Sequence, residues 1–462
     1  MKRAAPCRLS CAVIPGETRR KLVFVNRYFH PDQSATSRLL SDLAFRLAGM
    51  GIDVAVVTSR QLYDRPRAHL LPLERIAGVT IHRVRTAVRG RSRLAGRAVD
   101  YLSFHLAAAL KLSSLLRRGD VVVAKTDPPL LSIGVSLLAH WRGAQLVNWL
   151  QDIFPEVAAA LGVALPRRID AVLRRARDRS LARARMNVVL GERMRAYLLG
   201  RGVPPPRIRC IPNWADTAQI EPLPRDRSRT RADLGLQGRF VVAYSGNQGR
   251  AHEFDTLLGA VRLLREDERF AFLMVGDGAR AQSLRHAVET ERLHSVRFLP
   301  FQPAECLADA LAAADVHLIS LIPALEGLIV PSKLYGILAA GRPAIFIGDP
   351  EGEIARVLRE GECGRSVRTG DSARLAELVR SLCDAPEMCA AMGLKARQLA
   401  LSCYSSERAA GAWRAMLGEI APGLVPDQPC PTLTERTSSA ALEHRDWRPP
   451  SSAVTRASAR TD

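Results

Sequence analysis

Residues 326–342 read Glu-Gly-Leu-Ile-Val-Pro-Ser-Lys-Leu-Tyr-Gly-Ile-Leu-Ala-Ala-Gly-Arg: an acid, then a strand-like apolar run, then Pro-Ser-Lys opening a helix. Proline is accepted in a first helical turn, because the N–H it lacks would have no partner there. Glycine is favoured just past a helix end, so the spacing predicts a helix from Pro331 to Ala340 with Gly341 beyond it. Its N-terminus would offer unpaired N–H groups, among them that of Ser332, together with the ammonium of Lys333, a combination suited to phosphate oxygens. Glu326, just upstream, suits the hydroxyls of a sugar or ribose. Alone, the pattern fits an ordinary strand-to-helix turn equally well, and its neighbours decide.

Two glycine-rich turns precede it. Phe240 to Ser245 reads as a buried strand running into Gly246-Asn247-Gln248-Gly249-Arg250, followed by a helical pattern at Phe254, Leu257, Leu258, Val261 and Leu264. Phe270 to Val275 is a second such strand, ending in Gly276-Asp277-Gly278. Glycines there let backbone approach a ligand closely, and the carboxyl ends of parallel strands are where doubly wound sheets bind ligands. Neither turn has the full G-x-G-x-x-G spacing, and no G-x-x-x-x-G-K-[ST] loop occurs. Three polar-flanked turns in one half of the chain favour a nucleotide-diphosphate pocket.

Taken with Tyr28-Phe-His-Pro-Asp-Gln-Ser-Ala-Thr-Ser37, Thr126-Asp-Pro-Pro129, and Trp149-Leu-Gln-Asp-Ile-Phe-Pro-Glu156 followed by Gly162, the chain from about Lys21 to Ala421 resembles glycosyltransferase family 4. That family has the GT-B fold, and the resemblance is to its bacterial branch that builds surface polysaccharides and lipid-linked sugars. It implies two Rossmann-like, doubly wound α/β domains facing across a cleft, transfer with retention of anomeric configuration, and neither metal nor cofactor. No D-x-D motif occurs, in keeping with that. The family commonly carries two glutamates separated by seven residues. Glu326 stands at the first position, Leu334 at the second and Gly336 a little beyond, so Glu326 is expected to carry more of the donor recognition.

The domain reading starts from length: 462 residues, 47% of them hydrophobic, suit two or three full-sized cores. Strands are expected at 22–26, 54–58, 121–124, 145–149, 188–190 and 208–211, with a helix near 35–49, which describes a parallel sheet covered on both faces. The polar, Pro- and Arg-rich stretch 212–238 marks the boundary. The expected organisation is a disordered extension over 1–20, an acceptor domain over 21–212 and a donor domain over 213–402. A helix over 403–422 would pack back on the first domain, before a disordered tail over 423–462. No adequate apolar core follows Met1-Lys-Arg, so a secretory signal is not expected. The runs 106–116 and 129–139 are too short for a bilayer and read as buried helices. Nine dispersed cysteines without C-x-x-C pairs suit a reduced cytosol and form no zinc pattern.

Lys and Arg number 67 against 46 Asp and Glu, a net charge of +21. The excess concentrates in 85–97, with Arg89, Arg91, Arg93 and Arg97, and in 167–185, where Arg167, Arg168, Arg174, Arg175, Arg177, Arg179, Arg183 and Arg185 accompany a rough apolar face at Ile169, Val172, Leu173, Ala176 and Leu181. Such a helix could lie on the anionic inner face of the cytoplasmic membrane, each basic residue contributing about 1 kcal/mol. Nucleic acid is not expected, since no reader motif or aromatic series accompanies the charge.

The expected reaction moves a sugar from a nucleoside diphosphate, UDP by default, to a lipid-linked or glycan acceptor. Arg250, Lys333 and the amides of Gly246, Gly249 and Ser332 would stabilise the diphosphate. Ser245, Asn247, Gly276, Asp277, Gly278 and Pro331 would complete the donor site, and His252 is a weaker cationic candidate. On the acceptor side, Asp152 is the preferred carboxylate over Asp127, with His30, Ser34 and Thr36 facing the cleft. The alternatives are a nucleotide-sugar epimerase on the same fold, or an inactive transferase-like partner subunit. Base, sugar, acceptor, linkage and oligomeric state are not legible.

Overall fold

The computed structural model describes residues 20–426, except 67, 69, 90–93 and 164. The expected disorder of residues 1–19 and 427–462, and the arginines Arg91 and Arg93, lie outside the described residues. The first domain is an eight-stranded sheet ordered β3-β4-β2-β1-β5-β6-β7-β8. Its strands are β1 Leu22–Val25, β2 Val54–Ser59, β3 Leu73–Ile76, β4 Val79–Val84, β5 Val121–Lys125, β6 Gln145–Trp149, β7 Met186–Val189 and β8 Ile208–Cys210. The central runs, such as Leu-Val-Phe-Val and Val-Val-Val-Ala, are buried on both faces, as parallel strands between two helical layers must be. Only β3 and β4 pair antiparallel; they form an edge hairpin that the sequence reading missed. Its turn places Ala77 and Gly78 at φ 45° and 84°, the left-handed pair that suits the twist of a two-residue hairpin.

The second domain is a six-stranded parallel sheet ordered β11-β10-β9-β12-β13-β14. Its strands are β9 Phe240–Ser245, β10 Phe270–Val275, β11 Val296–Leu299, β12 Val316–Ser320, β13 Ala344–Ile347 and β14 Gly364–Val367. The strand order reverses direction between β1 and β5 in one sheet and between β9 and β12 in the other, opening a crevice at each carboxyl edge where ligands bind.

Several expectations change. The apolar run after Glu326 is not a strand: Gly327 turns at φ 75°, and Ile329 makes a single antiparallel bridge to Asp152 of the first domain. The strand feeding this segment is β12, further upstream. The helix that follows spans Lys333–Ala339, leaving Pro331 outside its first turn. Helix Leu94–Leu115 buries Phe104, Ala108 and Leu112 but leaves Leu106 60% and Leu110 74% exposed, and Leu137 of helix Leu131–Arg142 is 59% exposed. Neither helix is wholly buried. In helix Arg167–Arg183 the inward face carries Arg177, Ser180 and Leu181, while Ile169 and Val172 point to solvent. The packing face is polar because Glu156 meets it: Arg177 grips that carboxylate with two hydrogen bonds of 2.8 and 3.0 Å, and Arg174 and Tyr197 also reach it. These bonds hold the Glu156 carboxyl below its usual range despite burial.

After the second sheet the chain returns to the first domain. Helix Ser406–Ile420 packs Ala410, Trp413, Met416 and Leu417 into the core beneath β1 and β6, and the core extends to Leu424, beyond the expected start of the tail. Trp413 is fully buried, edge-on to Trp149 at 5.0 Å and to Phe24 at 6.3 Å. Trp413→Ala is therefore expected to destabilise the protein by about 4 kcal/mol, read as a lowered urea midpoint. An unchanged midpoint would remove this helix from the first domain's core.

Candidate functional site

The two glycine turns of the second domain pack against each other. Gly276, at φ 119°, lies so close to the turn after β9 that a Cβ there would sit 2.2 Å from the Gly246 carbonyl oxygen. A Cβ on Gly278 would meet Asn247 and the Gln248 backbone at 2.6 Å. Backbone hydrogen bonds lace the turns: Gly246 N–H to Val275 O at 2.9 Å, Gln248 N–H to Asp277 O at 2.8 Å and Arg280 N–H to Gln248 O at 2.9 Å. The Gly246 amide is thus occupied in the sheet, which corrects its expected role toward phosphate. The N–H groups of Gly249 and Ser332 have no protein partner among the described residues. Arg250 is exposed, and Asp277 uses its carboxylate to accept the Gly278 N–H at 2.8 Å.

Lys333 reaches into this nest. Its Nζ lies 3.5 Å above the Tyr244 ring and 3.6 Å from where a Gly246 Cβ would be, buried and without a hydrogen-bond partner. Burial pushes its pKa well below the ordinary lysine value. Ser245 Oγ, Gln248 Oε1 and Glu253 Oε2, carried by the same strand end and turn, are also buried and unpartnered. Buried polar atoms left unpaired are costly, and four on one strand end, turn and facing lysine describe a site shaped for a polar ligand. His252 is not the cation expected as a second candidate. Its Nδ1–H donates to the Ser320 carbonyl at 2.5 Å, and burial, with Lys333 adding to it, lowers its pKa to about 3, so the ring is neutral.

Glu326 takes a different partner from the one its position suggested. Oε1 accepts the N–H of Glu353 at 2.7 Å, at the start of helix Glu353–Glu360, and burial raises its pKa. Glu353 then crosses to the first domain and accepts the Arg193 N–H at 3.1 Å, in the first turn of helix Glu192–Gly200. Each carboxylate complements a helix N-terminus. Behind this latch lies a cavity of about 160 Å³ between Leu190, Cys210, Tyr335, Glu353, Arg356 and Tyr404, which the glycine turns do not border. Leu334, in the place of a second glutamate, is 1% exposed and belongs to the core.

Across the crevice, Asp152 follows β6 and Asp127 follows β5. Ile153 N–H donates to Leu328 O at 3.0 Å, so Asp152 lies against the segment that leads to Lys333. Burial lifts the Asp152 carboxyl to about 6, with the Asp127 charge adding to the rise and Lys125 opposing it. Lys125, which the sequence reading did not single out, is 1% exposed; Nζ donates to Thr36 O at 2.7 Å and sits over the Trp149 ring at 4.1 Å. Burial lowers its pKa to about 7 against the pull of both aspartates. The signal was available as a lone lysine ending an otherwise apolar strand. Thr36 therefore contributes a carbonyl. The Ser34 hydroxyl is bound to Asp32, and the His30 ring rests edge-on against Phe45 at 5.6 Å, its pKa lowered by burial and Arg83.

The close approach of the glycine turns predicts that Gly276→Ala, with a strained φ and a clash against backbone, destabilises the protein by roughly 2 kcal/mol. Thermal unfolding measures this, and an unaltered melting temperature would mean the turns can separate freely.

Comparison with known proteins follows the same division of the chain. Residues 35–214 match the family described as Glycosyl transferase 4-like domain, and residues 239–385 match Glycosyl transferases group 1. A Pseudomonas aeruginosa protein named as a glycosyltransferase, WbjE, is 31% identical over 64% of this chain and 74% of its own length. WcaI of Escherichia coli, assigned to colanic acid biosynthesis as a glycosyl transferase, is 25% identical over 73% of this chain and 85% of its own. Among solved structures, sucrose-phosphate synthase from Thermosynechococcus elongatus superposes with a TM-score of 0.70 at 17% identity, covering 87% of this chain and 99% of that one. HepE of Anabaena in complex with UDP superposes with a TM-score of 0.64 at 14% identity, covering 86% and 100%. The chain belongs to the group 1 glycosyltransferases of family 4 and has the GT-B fold.

Proposed function

We infer that the protein transfers a sugar, with retention and without a metal ion, from a uridine-diphosphate sugar to a lipid-linked or glycan acceptor in the building of a bacterial surface polysaccharide. The observation that carries this reading is Lys333 Nζ, a buried amine with no hydrogen-bond partner beside the glycine turn. A diphosphate would supply the missing anion, and the unpartnered N–H groups of Gly249 and Ser332 would add hydrogen bonds, with exposed Arg250 following in the same turn. Preorganised donors of this kind stabilise charge that grows on the leaving group. The base is chosen with the solved relative that holds UDP in mind, and the polysaccharide setting with WcaI.

In this reading Glu326 acts at one remove, holding helix Glu353–Glu360 and thereby the donor edge. Asp152, at the junction with the other domain, orients the acceptor hydroxyl or meets the donor sugar. On the acceptor side, Thr36 supplies the carbonyl that Lys125 holds and Asp127 acts on the same lysine by charge, and His30 and Ser34 are assigned there with them.

A thermal-shift screen against UDP, GDP, ADP and dTDP, with and without a divalent cation, tests the reading. UDP alone is expected to raise the melting temperature, and indifference to all four nucleotides would overturn it. Lys333→Met is expected to abolish the shift and to lower kcat/KM by roughly 100-fold or more while the fold persists. Binding should also depend on pH. The free ammonium is disfavoured by burial and the bound anion favours it, so binding takes up a proton and affinity falls as pH rises. Titration calorimetry across pH should find this slope in the native protein, and a flat affinity would remove Lys333 from the binding step.

A further inference from the structure

Lys125 closes β5 and stands opposite Trp149 in the ladder to β6, so the turns that follow, carrying Asp127 and Asp152, leave the sheet side by side. Hydrogen bonds keep them there. Gln151 N–H donates to Thr126 Oγ1 at 3.3 Å, and the Asp127 carbonyl accepts the Arg27 N–H at 2.7 Å. The Gln151 side chain exchanges two hydrogen bonds with that of Asn213, at 3.1 and 2.9 Å. With Ile153 N–H bonded to Leu328 O on the other side, Asp152 is fixed from both flanks. A carboxylate on a turn held this way has its electrostatic surroundings set in advance.

One cation serves two carboxylates here. Lys125 Nζ donates to the Thr36 carbonyl in the first turn of helix Ala35–Gly49 and lies over the Trp149 ring. Held by those contacts, the ammonium makes no ion pair with Asp152, whose carboxylate accepts no hydrogen bond among the described residues. Its charge still reaches that site. Both aspartates favour the ammonium against burial, and the lysine favours the Asp152 carboxylate against burial and Asp127. A direct ion pair would consume lone pairs that a substrate needs, whereas a carboxylate with no compensating cation would go neutral and could not accept a hydroxyl proton. The other titratable groups nearby are engaged elsewhere. Glu156 is held by Arg177 and Arg174, Arg27 turns to Gln61 and Asp100, and His105 meets Pro129 O at 3.2 Å with its pKa lowered by burial. The facing run from Gly327 to Ser332 has no titratable side chain.

We propose that Lys125 is a positioning residue for Asp152, a buried cation that keeps the carboxylate charged while leaving its oxygens to the substrate. The consequence for sugar transfer rests on the role given to Asp152 above; the coupling between the two side chains is measured without donor or acceptor.

The Asp152 carboxyl would be titrated by carbon NMR in the full chain labelled at aspartate Cγ, its signal assigned by its loss in Asp152→Asn. Lys125→Met is expected to move the midpoint to higher pH, because the favouring cation is gone, and Asp127→Asn to move it to lower pH, because the repelling anion is gone. Such coupling is reciprocal. Asp152→Asn should therefore lower the midpoint of the Lys125 Cε signal, a reading that stands even where Lys125→Met does not fold. An Asp152 midpoint that Lys125→Met leaves in place, or a Lys125 midpoint that Asp152→Asn leaves in place, would overturn the proposal. In UDP release from UDP-glucose, with water in place of the acceptor, Lys125→Met should fall about 5-fold further below the native rate at pH 6 than at pH 8. Equal losses at the two pH values would mark a merely structural lysine and overturn the proposal as well. A rate that Asp152→Asn does not change would count against the part given to Asp152 in transfer, and the titrations would still decide the coupling.

Discussion

Glu326 and Glu353 bind backbone N–H groups, and the placement of the two carboxyl edges follows from that. The first holds the start of helix Glu353–Glu360, and the second, carried by that helix, holds the start of a helix in the other domain. A carboxylate at a helix N-terminus gains from the unpaired amides and from the dipole together. Chaining two such contacts fixes both the distance and the direction between the sheets. The bridge between Ile329 and Asp152 and the bond from Ile153 to Leu328 complete the seam. It sets Asp152 against the segment that leads to Lys333.

The glycine turns of the second domain show what close backbone contact achieves. Gly246, Gly276 and Gly278 allow two turns to approach within distances that a side chain would forbid, and the Lys333 amine lies beside them over the Tyr244 ring. The carboxyl edge of the first domain is built differently, from a buried lysine set among two carboxylates and a carbonyl. Burial raises the acid and lowers the base, bringing Asp152 to about 6 and Lys125 to about 7. Groups poised in this range are suited to moving or holding protons near neutrality.

Much of this was legible in the sequence, for identifiable reasons. Short apolar runs rich in Val and aromatics, such as Phe240 to Ser245 and Phe270 to Val275, read as strands covered on both faces because glycines bound them, and those glycines mark turns at the sheet edge. What the pattern could not convey was which polar groups were already spoken for. The Gly246 amide is bonded within the sheet, and Glu326 is bonded to a helix start remote in sequence. The run after Glu326 looked like a strand because it is apolar, yet it is apolar because it packs between domains. The edge hairpin escaped notice because Ala77-Gly78 lacks the Asn or Asp that commonly announces such a turn. Helix Arg167–Arg183 inverted the usual rule, burying an arginine against Glu156 and exposing Ile169 and Val172, since an ion pair satisfies an interior that periodicity alone would fill with carbon.

The return of helix Ser406–Ile420 to the first domain has a consequence for how the protein is made. Trp149 emerges from the ribosome early, but its partner Trp413 is translated only after the whole second sheet. The nascent first domain must wait, its tryptophans and β1 phenylalanine uncovered, while the whole second domain is synthesised and folds beside it. Maturation is therefore not a simple relay from one domain to the next. Helix Ser406–Ile420 completes the first core, so that core waits on synthesis of the second domain, and a chain terminated before Trp413 is a poor candidate for a stable half-enzyme.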